Sequence, residues 1–452
     1  MRTLVESVPD HVLALIQNLR VRLCDPEFSA RHRVRPEDFT RHRQLTFPVV
    51  MLFVLQKTVK SIQRHLHEFF NDLAGKEIFA SVSPGAWTHA RAKLGPAAFT
   101  ELNREVLLPL VYGPERQSEL RRWRGHRLLG VDSSLLRLPN SAELLKEFSP
   151  VEVSNQSGLT GTSYPEGRMS VLFDLLNRVG LDGRLDPSSV SEVQQAIEQM
   201  SSALAGDVLI SDRGFSGYCY LAWQQKLGLN YVARCSTASF AAAQELFRMN
   251  RAGRSVTVRL LPSSEQKAQA QALGLPLELI VRFVSLRLST GELEVLATSL
   301  LDEQAYPTEE FLEVYDCRWN HETYYGTLKG RLDLENFSGK TVEAIRQDFH
   351  AALLLSNFET VLTEPAAEAL REGSTAHQHR KQVNHAIAFH AIKDRLIELL
   401  YSQKPALEVM LEMQQLFLAS PTSVRRERRI PRRKPSLARG YHFQRRQKKV
   451  VF

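Results

Sequence analysis

Residues 207–215 read DVLISDRGF. Val208, Leu209 and Ile210 form a short apolar run, and Asp212, Arg213 and Gly214 follow it directly. A run of that length without polar alternation has the character of a buried strand, and Gly214 supplies the turn into a helix starting near Ser216. Strand, tight turn and helix in that order point to an α/β sheet. The strand also leaves a carboxylate, Asp212, at its carboxyl end, where α/β sheets form their ligand-binding crevice. An Asp that caps the following helix is the competing reading.

Working outward, residues 126–138 (HRLLGVDSSLLRL) form a second short apolar strand, and this one carries Asp132. Residues 168–177 form another, followed by a helix over about 190–204 capped near Ser188. Residues 229–304 change the rhythm. Runs at 230–235, 255–261, 278–288 and 292–300 read as strands, the last two forming a hairpin around Ser289-Thr290-Gly291. This is a mainly β insertion, and Arg234, Arg254, Arg259, Arg282 and Arg287 in or beside its strands are enough for a surface that tracks phosphates.

The α/β character resumes with residues 308–332, TEEFLEVYDCRWNHETYYGTLKGRL, read as one helix. Tyr315, Arg318, Glu322 and Lys329 are spaced by three, four and seven residues. That spacing puts all four within a wedge of about 60° on one helix face. A salt-bridged surface stripe has this pattern. So does a site that holds a metal ion and grips phosphate oxygens on either side of it. Residues 336–340 then lead into a strongly apolar helix over 342–362.

Residues 1–118 show helical periodicity at 8–23, 47–70 and 97–111. The segment 30–44 is dense in Arg and His, and Ser83-Pro84 starts an N-capped helix presenting Trp87, His89, Arg91 and Lys93. Such a helix suits a DNA major groove, and equally an ordinary solvated face. Residues 363–383 are polar and linker-like, and 384–418 read as one or two more helices. The tail 421–452 holds twelve Lys or Arg against one Glu and so contributes +11, which leaves residues 1–420 at −3 for a chain total of +8. A basic tail of that kind expects a polyanion, nucleic acid above all. The four cysteines stand singly, without zinc-finger spacing or a disulfide framework. No apolar run reaches the roughly 20 residues of a membrane span and the N-terminus has no signal-peptide core, so the expectation is a soluble cytoplasmic protein with no membrane partner.

Three acids therefore stand out: Asp132 in a strand, Asp212 at a strand end and Glu322 on a helix. Phosphoryl transfer on DNA uses carboxylates that hold two divalent ions about 3.5–4 Å apart. Mg²⁺ suits hard oxygen donors of this kind. The pattern Tyr-x2-Arg-x3-Glu-x6-Lys, with Trp319 after the Arg, resembles the C-terminal catalytic motif of the insertion-sequence-four family of bacterial DDE transposases. Val131-Asp132-Ser133-Ser134 and Asp212-Arg213-Gly214-Phe215 resemble the blocks around that family's two catalytic aspartates. Residues 164–168 (YPEGR) and 335–339 (ENFSG) also resemble family text, and the likeness runs in order over about residues 80–362. Ser133 stands where the family usually has Gly. No Trp lies between Trp223 and Arg318, leaving Phe240, Phe247, Phe283 or Tyr306 for an aromatic wedge that would hold a flipped base.

The resemblance implies an α/β fold with a ribonuclease H-like catalytic core, here residues 121–228 and 305–365, interrupted by the β-rich insertion at 229–304. Around it stand a helical N-terminal DNA-binding domain at 1–120, C-terminal helices at 366–420 and the basic region at 421–452. It implies Asp132, Asp212 and Glu322 as catalytic residues and ligands of two Mg²⁺ ions, with Mn²⁺ able to substitute. Tyr315, Arg318, Trp319, Lys329 and Arg213 would contact DNA. The implied activity is cut-and-paste transposition on double-stranded DNA, element ends and target, by a homodimer in a bacterial, nucleoid-associated setting. A Mg²⁺-dependent nuclease of the same fold and a non-catalytic DNA-binding descendant are the alternatives.

Overall fold

The computed structural model describes residues 8–41, 43–58, 60–74, 82–148, 150–155, 158–373 and 380–424. The basic tail from residue 425 lies outside the described residues, as does most of the lower half of the linker expected at 363–383. The longer strands are β1 (Leu128–Arg137), β2 (Pro150–Asn155), β3 (Gly158–Asp174), β4 (Val179–Pro187), β5 (Val208–Ser211), β6 (Asn230–Arg234), β7 (Arg254–Leu260), β8 (Leu279–Arg287) and β9 (Leu293–Thr298). The chain folds into two compact units. One comprises residues 119–136 and 167–326, and the other the described residues of 1–118, 137–166 and 327–452.

The unit of 119–136 and 167–326 is built on a mixed sheet in which neighbouring strands run β4-β3-β1-β5-β6-β9-β8-β7. At its centre β1, β5 and β6 are parallel, with Leu128 opposite Val208 and Val208 opposite Asn230. Every residue of β5 is buried, as the unbroken apolar run of 208–210 requires of a strand covered on both faces. Beyond β6 the sheet turns antiparallel, and β8 and β9 form the expected hairpin around Gly291, whose φ of +86° suits a residue without a Cβ. The expected β insertion is thus a continuation of the central sheet, interleaved with helices Ala241–Met249 and Ser264–Ala272. The arginines of these strands do not form one open phosphate surface. Arg282 has no exposure and donates to Ser255, Tyr306 and Thr308, Arg259 pairs with Glu278, and Arg287 binds the Asn250 and Gly291 carbonyls.

Among the described residues, the other unit is mainly helical, with β2 paired to the first half of β3, a two-residue ladder at Lys381–Gln382 and an isolated bridge between Arg33 and Leu94. Its longest element, Val342–Glu372, continues ten residues beyond the expected end at Leu362 and carries Pro365 inside it. Two features keep the segment helical. The text Ala366-Ala367-Glu368-Ala369-Leu370 consists of strong helix formers, and Glu364 is fastened by Arg116 and His11. The linker reading of 363–372 is corrected accordingly.

The helix started by Ser83 is present as Pro84–Arg91, with the Ser83 hydroxyl accepting from the Ala86 N–H. It does not present the expected face. Trp87 is 2% exposed against Phe53, and Arg91 is 5% exposed and bound to Asp348. In the Arg- and His-rich segment, Arg31 and His32 both close on Glu101, as does Arg22 from the preceding helix, so these side chains are satisfied internally.

Candidate active site

The last paired residues of β1 and β5 are Gly130 and Ile210. Counting two residues on along each strand reaches Asp132 and Asp212. In a parallel ladder equal steps stay level, and neighbouring strands lie about 4.8 Å apart. Asp132 lies within β1 and Asp212 one residue beyond the end of β5, where the chain turns into Arg213–Phe215, so both come to the carboxyl end of neighbouring parallel strands, near enough for the charge of Asp212 to act on Asp132. Asp212 also caps that turn, accepting from the Arg213 N–H at 2.7 Å, so the capping and site readings hold together.

The stretch expected as a single helix over 308–332 is broken. It forms Glu310–Asp316 and Trp319–Gly326, and residues 327–331 belong to the other unit. At the break the N–H groups of Arg318, Asn320 and His321 donate three residues back, to Tyr315, Cys317 and Arg318, which overwinds the chain there. The wedge calculated for one ideal helix does not hold, yet Tyr315, Arg318 and Glu322 still face one place. The Tyr315 hydroxyl donates to Asp212 at 3.3 Å, and the Arg318 guanidinium lies 4.0 Å from Asp212 and 3.0 Å from Glu322.

The helix that carries Glu322 is fixed against the sheet by its apolar and aromatic neighbours. A Cβ at Gly130 would come within 3.3 Å of His321 Nδ1 and 2.8 Å of Leu175, so glycine there lets the helix lie directly on β1. His321 stacks on Phe173, as does Tyr324. Burial drives the His321 pKa down to about 3, with Arg318 adding to the effect, so it acts as a neutral ring. Tyr325 closes the contact: its hydroxyl donates to the Asp132 carbonyl at 2.6 Å and accepts from the Val171 N–H at 3.0 Å. Tyr325→Phe keeps the ring and takes the acceptor from the Val171 N–H, while the Asp132 carbonyl keeps the Ser170 hydroxyl at 3.1 Å. It is expected to cost about 1–3 kcal/mol. Urea unfolding would show a lower midpoint with an unchanged slope.

The two aspartates differ in their surroundings. Burial works against the Asp212 carboxylate, but the Arg213 N–H, Arg318, Arg234 and the Tyr315 hydroxyl together hold it below the ordinary carboxylate range. For Asp132 burial prevails and lifts the pKa to about 6. The Ser133 N–H and Arg318 offset it only in part, and Glu192 and Asp212 add to it. A half-buried carboxylate so poorly compensated is where an added divalent cation gains most. Among the described residues no three His, Cys, Asp or Glu side chains are already drawn into a metal cage. The donors nonetheless fit one in kind, since Asp132, Asp212 and Glu322 offer only hard carboxylate oxygens.

Of the remaining expected residues, Trp319 is 52% exposed with the Arg318 guanidinium 5.7 Å over its ring. Arg213 is exposed and pairs with Glu292 at 3.1 Å. Lys329 falls in the other unit and lies 3.9 Å from Glu335. Phe283 is fully buried and so unavailable as a base-holding wedge. Two residues stand at the site that the sequence did not single out for it. Arg234 lies 3.6 Å from Asp212 and is clamped by the buried Glu294, and Glu192 accepts from the Ser133 hydroxyl at 2.9 Å.

A mixed α/β sheet thus carries Asp132 in β1 and Asp212 just beyond β5, with Glu322 on a helix laid against β1. Residues 123–358, just over half of the chain, match the family described as Transposase DDE domain, and the protein belongs to that family. It is 22% identical over 357 residues to the transposase InsG for insertion sequence element IS4 of Escherichia coli (strain K12), covering 77% of this chain and 76% of the relative. Among solved structures it shows a TM-score of 0.44 and 10% identity to the piggyBac transposase in a cryo-EM synaptic complex with hairpin DNA, over 91% of this chain and 83% of that one.

Proposed function

We propose that this DDE transposase carries out metal-dependent cut-and-paste transposition of an insertion sequence, with Asp132, Asp212 and Glu322 as its catalytic and metal-holding carboxylates on a ribonuclease H-like core. The observation that carries the reading is the placement of Asp132 in β1 and Asp212 just beyond the neighbouring parallel strand β5, with the Glu322 helix seated on β1 through Gly130. Tyr315, Arg318, Trp319 and Arg213 serve as contacts to DNA near the cleaved end, and Lys329 of the other unit serves as a further contact to DNA. Residues 1–120 act as the DNA-binding domain. The partners are double-stranded element ends and target DNA, engaged by a homodimer in the bacterial cytoplasm.

In the mechanism, two divalent ions, Mg²⁺ or Mn²⁺, supply activation of the attacking oxygen and stabilisation of the leaving oxygen when bound by the three acids. The protein's own groups do the positioning. Arg318 spans Asp212 and Glu322 and holds their negative charges together. Its planar fork also suits phosphate oxygens. Burial pushes the Tyr315 phenol well up, so it remains a donor at neutral pH, toward Asp212 or toward a phosphate. The exposed Trp319 ring offers a surface on which a base can stack.

The test is product analysis. The full chain is incubated with Mg²⁺, a plasmid carrying the DNA that flanks its coding sequence, and a target plasmid. Nicked ends followed by donor–target joints are expected, and chelation should remove both. Cuts without joints would favour the nuclease reading, and bound but uncut DNA the non-catalytic one.

A further inference from the structure

Glu192 opens the helix Glu192–Gln199, directly after the cap Ser191, whose hydroxyl accepts from the Gln194 N–H. Glu192 thus stands in the first turn of the helix, a favourable place for negative charge. One oxygen of the Glu192 carboxylate accepts from the Ser133 hydroxyl at 2.9 Å, and the Ser133 N–H in turn donates to the Asp132 carboxylate at 2.8 Å. The Ser133 hydroxyl also accepts from Arg168 at 2.9 Å, which orients its single proton toward Glu192. The other Glu192 oxygen lies against Gly214, within 2.8 Å of where a Cβ on that glycine would stand. Gly214 sits in the middle of the turn capped by Asp212.

A single carboxylate thus reaches from the residue after the first aspartate to the turn after the second. It places a third carboxylate beside Asp132. Glu192 has no Lys or Arg within ion-pair distance among the described residues to offset it. From this geometry we infer that Glu192 is a positioning residue of the two-aspartate site, which sets the spacing of Asp132 and Asp212 through the Ser133 hydroxyl and the glycine turn at Gly214. Ser133 then has a role here that a glycine could not fill, since glycine has no hydroxyl with which to reach Glu192. The inference rests on the reading of Asp132 and Asp212 as metal ligands. Groups that orient metal ligands typically matter about 10–100-fold in metal affinity.

The test uses the full chain and Mn²⁺ alone, with affinity followed by calorimetry and the bound ion by electron paramagnetic resonance. Wild type should bind, and Asp132→Asn should lose binding. If wild type shows no binding, or Asp132→Asn binds like wild type, the metal reading itself fails, and the Glu192 variants are not needed to see it. With that control in place, Glu192→Ala should weaken Mn²⁺ by about 10–100-fold and change the resonance spectrum at an unaltered melting temperature. Glu192→Gln, which keeps an acceptor for Ser133, should stay within about threefold of wild type. Ser133→Ala should weaken Mn²⁺ in the same direction as Glu192→Ala, and the double variant should be no worse than the poorer single one. Wild-type affinity in Glu192→Ala would overturn the inference. So would equal losses in Glu192→Gln and Glu192→Ala with Ser133→Ala at wild type, which would assign the effect to charge instead. Should Glu192→Ala fail to fold, Glu192→Gln and Ser133→Ala decide between the same outcomes.

Discussion

Glu322→Gln is expected to lower metal-dependent nicking of the element end by about 10³-fold or more while leaving end binding within a factor of about three. Several features separate chemistry from folding at this position. The amide oxygen of Gln can still accept from Arg318, which lies 3.0 Å from the Glu322 carboxylate, so the local hydrogen bond survives. The helix is held by His321, Tyr324 and Tyr325 against Phe173, Gly130 and the Asp132 carbonyl, and none of these contacts involves Glu322. What disappears is one anionic oxygen donor and one negative charge beside Asp212 and Arg318. Hard divalent ions depend on both. DNA binding depends instead on cationic contacts to phosphates and should follow salt concentration in the same way in both proteins. The comparison needs a labelled end duplex, a gel-shift titration and a nicking time course. Nicking retained near the wild-type rate would remove Glu322 from the proposed triad.

Much of this site was legible in the sequence because it is written in short, unambiguous runs. Leu128–Val131 and Val208–Ile210 are largely apolar and bounded, so both strands, one carrying Asp132 and the other ending at Asp212, could be anticipated from pattern, whereas their parallel pairing could not. The β8–β9 hairpin was legible through Gly291 for a similar reason. Features that depend on distant partners were not. Glu192 looks like any acid in a helix first turn, and only Ser133 and Gly214, brought in from two other segments, give it a role. Trp87 and Arg91 read as a presented face because a helix with aromatic and basic residues carries no label for which side is covered. The break after Asp316 also escaped periodicity, since three-residue hydrogen bonding leaves the residue types unchanged. Residues 363–372 read as linker because they are polar, yet the helix runs through them with Pro365 itself buried and Glu364 held by His11 and Arg116.

Asp348→Ala should destabilise the helical unit by about 3–5 kcal/mol, the range for breaking a buried ion pair by removing one partner. Asp348 has 1% exposure and accepts from Arg91 at 2.7 Å and from the Ser338 N–H at 2.7 Å, with the Lys57 ammonium 3.9 Å away. Its loss leaves two buried cations facing an empty volume. Lys57 can respond by releasing its proton, since burial already drives its pKa down. Arg91 cannot, because a guanidinium stays charged under all ordinary conditions. The same network fixes the sign of a pH effect. Burial works to raise the Asp348 pKa, but Arg91, Lys57 and Ser338 together hold it below the ordinary carboxylate value. A carboxylate with a depressed folded-state pKa contributes stability that is fully present above its unfolded value, near pH 4, and is lost as pH falls through the folded one. The gap between wild type and Asp348→Ala should therefore be widest near neutrality and should narrow on acidification below about pH 4. Denaturant midpoints measured from pH 7 downward check this. A gap that stayed constant through the acid range would mean that the cavity, and not the lost charge, accounts for the destabilisation.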